Sequence, residues 1–186
     1  MRFLILALLL SASTAFAQTP IAPVFESSFN SNYQSGQCGT NIMNLVKLAN
    51  EEGVDLSNAR VILITNESYF NFGMVGGFEA RSSRLDKATG KRVPYFELRS
   101  WYHHVFLEHD GYIYDYDFGS EPRVTPVAEY VERMFLPEKR WSLGDKITSR
   151  EDRLKGYRVE IRTAESTLQR SQEKGELMTL GEFLAR

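Results

Sequence analysis

The chain has one cysteine, Cys38, in 186 residues, so no disulfide within it can staple the fold. Histidine is nearly as scarce, with three in all, which leaves few candidates for a general base or a soft metal site. Neither sign of charge dominates. The 22 Lys and Arg stand against 24 Asp and Glu, which excludes the strongly basic surface of a nucleic-acid or anionic-membrane binder. There is no internal repeat, and the longest apolar run, Phe3 to Leu10, is too short to span a bilayer.

That run follows Met1 and Arg2 and leads into small residues ending in Ala15-Phe16-Ala17, the pattern of a secretory signal peptide. Cleavage is expected before Gln18, leaving residues 18–186 as a single secreted or periplasmic domain with no membrane attachment. Exported proteins ordinarily use cysteine in pairs. A lone thiol in an oxidising compartment is either a small buried hydrophobe or a working group.

Residues 18–37, rich in Pro, Ser and Asn, read as an extended lead-in. From Cys38 the period turns helical. Ile42, Leu45, Val46 and Ala49 recur at three- and four-residue spacing, and Gly53 is a natural residue just past a helix end. Ala59–Thr65 is a β-branched run that reads as a buried strand. Tyr69–Gly77 reads as a second strand or a loop near the site, Ser82–Arg92 as a polar surface excursion, and Pro94–Leu98 as the opening of another strand. Trp101–Leu107 and Tyr112–Asp117 flank His109-Asp110-Gly111, and Asp-Gly between two such runs is a hairpin signal. Thr125 as N-cap with Pro126 behind it starts a helix to about Met134. Pro137–Lys155 is charged and carries no clear period, whereas Gly156–Arg162 alternates like a strand. Thr179 and Glu182 make a capping box for a short last helix. One helix ahead of several antiparallel strands predicts an α+β fold with the N-terminal helix packed on the sheet.

The chemistry centres on the thiol. The pattern places Cys38 at or just before the first turn of a helix, where the dipole and free N–H groups favour a thiolate. Gly36 and Gly39 leave room for close approach of a substrate. Of the histidines, His109 falls in the turn and reads as solvated, while His103 and His104 are neighbours on a strand and point to opposite faces. Only one of that pair can serve a site, and the two are poor joint ligands of one metal. With a two-residue Asp110-Gly111 loop, paired residue numbers sum to 221, which puts His104 on the face of Asp117 and Asp115; a three-residue loop would favour His103 instead. An acid beside the imidazole would fix its tautomer and steady its charge. Tyr112, Tyr114 and Tyr116 read as packing for the opposite face.

Five segments in this order, Cys38-Gly-Thr-Asn41-Ile, Ile64-Thr-Asn-Glu67, Trp101-Tyr-His-His104-Val, Ile113-Tyr-Asp115-Tyr-Asp117 and Met178–Leu184, resemble those of the protein N-terminal glutamine amidohydrolases. The resemblance covers most of the mature chain. It implies a papain/transglutaminase-like α/β roll, a Cys38-His104-Asp115 triad, no cofactor, and a protein or peptide substrate with N-terminal Gln. It selects His104 over His103 and Asp115 over Asp117. Gln34 and Gln37 are candidates for an extra oxyanion donor. The chain departs from the family in three places: Gly39 and Thr40 replace two acidic residues, Thr148–Arg153 matches a late motif only loosely, and the best-known members lack an export signal. The same triad would equally serve an internal-glutamine deamidase, a transglutaminase or a thiol peptidase, and a binding protein on a degenerate enzyme scaffold is the non-enzymatic alternative.

Overall fold

The computed structural model describes residues 20–66, 77–90, 92–136, 149–169 and 174–186. The expected signal segment, the Tyr69–Gly77 stretch except its last residue, and most of the unassigned 137–155 region lie outside them. The helices are α1 (Ala22–Ser28), α2 (Cys38–Glu51), α3 (Val127–Met134), α4 (Arg150–Gly156), α5 (Ala164–Leu168) and α6 (Leu180–Leu184). The strands are β1 (Ala59–Asn66), β2 (Gly77–Leu85), β3 (Arg92–Ser100), β4 (His103–His109), β5 (Tyr112–Tyr114), β6 (Thr125–Pro126), β7 (Tyr157–Thr163) and β8 (Glu176–Thr179).

Six strands form one open antiparallel sheet in the order β6-β5-β4-β1-β7-β8, and β2 and β3 form a separate hairpin. The result is an α+β architecture. Because strand side chains alternate between faces, β1 and β4 feed two cores at once. Ile62, Ile64 and Phe106 face Tyr130, Val131 and Met134 of α3 and Leu180 and Phe183 of α6. Val61 and Leu107 face the other way, onto Phe25 of α1 and Ile42, Leu45, Val46 and Ala49 of α2. Each such side chain withdrawn from water contributes roughly 1.5–3 kcal/mol before entropy is counted. Among the described residues no helix is long and apolar enough to cross a membrane.

The elements nearest the site follow local rules. Helix α2 spans the expected period from Cys38, and Gly53, at φ 74°, takes the left-handed conformation just past its end. Strand β4 turns into β5 through Asp110 (φ 51°) and Gly111 (φ 81°), the mirror-image two-residue turn that suits the twist of a hairpin. Pairs Leu107–Tyr114, Glu108–Ile113 and His109–Tyr112 give the two-residue register. Thr179 and Glu182 form the expected capping box at α6, and Ser149 with Asp152 forms another at α4.

Three expectations are corrected. The lead-in holds a helix, α1, whose Ile21, Val24, Phe25 and Phe29 are buried at helical spacing, with Pro23 tolerated in its first turn. The 82–92 excursion is the turning half of the β2–β3 hairpin, where Asp86 accepts bonds from Ala88 N and Thr89 Oγ1 at 2.9 Å each. Finally, Thr125 pairs with Ile113 in β6 instead of capping α3, so Pro126 takes the N-cap position.

Candidate functional site

Cys38 is the first residue of α2, partly exposed, at a helix start that no side chain caps. The first backbone bond of the helix runs from Asn41 N to Gln37 O at 2.9 Å, so the N–H groups of residues 38–40 precede the helical ladder. Gly39 sits directly over β4: a Cβ there would meet Val105 Cγ2 at 3.9 Å. Asn41, fully buried, fixes the loop before the thiol. Its Oδ1 accepts from Gln34 N and its Nδ2 donates to Gln34 O, both at 2.9 Å.

His104 enters from the other side of the sheet, opposite Ile64 of β1, among Phe106 and Phe135. Strand β5 pairs with β4 only as far as Leu107, so among the described residues β4 has no partner strand on that side beside His104. Cys38 lies close enough to His104 to help raise its pKa. Nε2 of His104 lies 2.9 Å from Asp115 Oδ2. His103 is exposed on the opposite face against Tyr102, as the alternation requires.

Asp115 reaches His104 by a route that the hairpin register did not foresee. The strand ends at Tyr114, and the chain turns so that Phe118 N approaches Asp115 O at 3.4 Å and Asp117 N donates to Asp115 Oδ1 at 2.9 Å. Tyr130 of α3 donates to Asp115 Oδ2 at 2.7 Å. The carboxylate is buried, with both oxygens held and one of them aimed at the ring.

The electrostatics follow from this geometry. Burial works against a charged His104, but the charge and hydrogen bond of Asp115, helped by Cys38, hold its pKa well above the ordinary 6.5. The acid and the thiol therefore favour the charged form of the ring against the cost of burying it. Tyr130 is pushed well above its ordinary range, first by burial and then by Asp115, and stays a proton donor.

Asp117, also buried, accepts from Tyr33 Oη at 3.0 Å, and its carbonyl accepts from Arg81 N at 2.9 Å. His104, Asp115 and Asp117 offer ligand atoms within 4.8 Å of one another. Gln34 and Gln37 are exposed beside the thiol, and Gln37 Oε1 accepts from Thr40 Oγ1 at 3.5 Å.

The structure thus brings Cys38, His104 and Asp115 together. It corrects the expectation for His109, which is buried at 4 % exposure instead of solvated, its Nδ1 3.6 Å from Asp110 Oδ2. Tyr114 and Tyr116 pack the α1–α2 face, as expected. Sequence reasoning missed Tyr130, Tyr33 and Arg81, which carry no motif. A cavity of about 560 Å³ lined by Ile62, Val127, Ile161 and Phe183 lies toward the turn end of the β4–β5 hairpin and includes none of the three site residues. Compared with known proteins, the chain matches no family model and no curated sequence.

Proposed function

We propose that the chain is an exported cysteine amidohydrolase that deamidates glutamine side chains, preferentially the N-terminal Gln of a protein or peptide, to glutamate and ammonia. One observation carries the reading: a buried imidazole is held by a buried acid at 2.9 Å and lies within interaction range of the thiol at a helix start. The helix set on an antiparallel sheet supports a papain/transglutaminase-like roll, and the ordered resemblance of the five segments supports glutamine as the substrate.

In this mechanism the Cys38 sulfur attacks the carboxamide carbon, and free N–H groups at the start of α2 hold the developing oxyanion. The carbon–nitrogen bond breaks as the His104 imidazolium gives its proton to the departing ammonia. A thioester remains. His104, now neutral, takes a proton from water, whose oxygen attacks the thioester; the carbon–sulfur bond breaks, glutamate leaves, and the released sulfur stands again beside a protonated His104. Asp115 keeps the ring oriented and stabilises its charged form, and Tyr130 keeps Asp115 in place. Water is the only co-reactant required.

The test is ammonia release from Gln-starting peptides, read beside the peptide mass. Turnover with an increase of about one dalton, abolished in Cys38→Ala, is the expected result. Fragmentation would instead indicate a peptidase, amine incorporation a transglutaminase, and equal rates for wild type and Cys38→Ala would remove the proposal.

A further inference from the structure

We propose that Tyr33 and Asp117 form a clamp, fastened to β2 at Arg81, that holds the segment leading into Cys38 within reach of His104. The inference rests on the Cys38–His104–Asp115 reading of the site. It assigns positioning roles to residues that belong to none of the three.

A nucleophile at the first residue of a helix is only as well placed as the loop before it. Here that loop is fastened at nearly every step. The Tyr33 hydroxyl lies against the Arg81 carbonyl oxygen and 3.0 Å from Asp117 Oδ1, with its one proton shared between them. Asp117 is in turn bonded through its N–H to Asp115 Oδ1, and through its carbonyl oxygen to Arg81 N, both at 2.9 Å. A single residue therefore touches the loop ahead of the thiol, the acid that orients the imidazole, and β2.

The Arg81 guanidinium completes the fastening. It lies over the rings of Phe29 and Tyr33, 4.3 and 4.4 Å from their centroids, and donates to Phe29 O at 3.2 Å and Asn30 Oδ1 at 2.6 Å. Ser35 meets Ser82 at 3.0 Å, and Asn41 closes the loop onto α2 through Gln34. Burying polar groups is costly unless hydrogen bonds satisfy them, and the bonds made here join the loop ahead of the thiol to β2 and to the acid beside the imidazole. Burial and Asp117 together hold the Tyr33 hydroxyl protonated, so it remains the donor across the working pH range.

The experiment measures alkylation of Cys38 by iodoacetamide as the ratio of rates at about pH 6 and pH 9.5, which reports the sulfur–imidazolium contact without any substrate. Folding is checked by circular dichroism. Wild type should exceed the ratio of a free thiol by well over tenfold, and Tyr33→Phe should lose about tenfold of that excess. Asp117→Asn keeps an acceptor for Tyr33 and should stay within about twofold of wild type, while Asp117→Ala should fall with Tyr33→Phe. Should Tyr33→Phe not fold, Ser35→Ala, at a partly exposed loop position, should lower the ratio about threefold. A folded Tyr33→Phe with the wild-type ratio overturns the clamp alone, as does Asp117→Asn falling as far as Asp117→Ala. A wild-type ratio equal to that of a free thiol overturns the site reading, and the clamp with it.

Discussion

His104 and His109 share strand β4, both are buried, and each has an acid beside it. At the turn end, His109 Nδ1 is 3.6 Å from Asp110, too far for a hydrogen bond, and it has no hydrogen-bond partner among the described residues. At the other end, His104 Nε2 is 2.9 Å from Asp115, which is itself held by Tyr130 and by Asp117 N. A histidine near a carboxylate is thus a commonplace of sequence. A histidine whose acid is fixed by further donors, and which lies within interaction range of a thiol, is an arrangement that needs three separate elements to converge. What makes the difference is the early end of β5, which opens the edge of β4 beside His104 and closes it beside His109.

Substitutions can break or sharpen that contrast. The largest effect is expected from His104→Asn, which should cut turnover of Gln-starting peptides by about 10³–10⁴-fold, while His109→Asn stays within about twofold. Asp115→Asn should cost about 10²–10⁴-fold in kcat with KM little changed, because it disturbs ring orientation and not substrate contact. Tyr130→Phe should lose about tenfold in kcat, corresponding to about 1.4 kcal/mol, the scale of one hydrogen bond to a charged group.

The smallest effect is on stability. His104 has a folded-state pKa raised above 6.5, so its contribution is complete below that value and is lost as pH rises through the raised one. Denaturant titrations of wild type and His104→Asn should therefore show a stability difference that is largest on the acid side of neutrality and shrinks at alkaline pH. A difference that grows with pH would contradict the assignment.

Much of this arrangement is legible in the sequence because it rests on local rules. The 3.6-residue period after Cys38, the Asp110-Gly111 turn and the alternation that separates His103 from His104 each fix one element, and each stands in the structure. The register also holds, since the pairs sum to 221. What register could not reveal is that β5 stops at Tyr114 and that Asp115 arrives from a turn. Long-range partners were equally hidden. Tyr130 looks like one more apolar residue of an amphipathic helix, and Arg81 falls between the segments that the pattern assigns. Helix α1 was masked by Pro20 and Pro23 and its Ser and Asn neighbours, although the spacing of Ile21, Val24, Phe25 and Phe29 was there to be read.

The charge of one ring tests the account most directly. In an NMR titration of the folded protein, followed on the imidazole nitrogens, His104 should remain doubly protonated through neutral pH and lose its proton only well above 6.5. Asp115→Asn should bring that transition down. A His104 ring that titrates at or below 6.5 in wild type, or that ignores Asp115→Asn, would mean that acid, imidazole and thiol do not act as a unit.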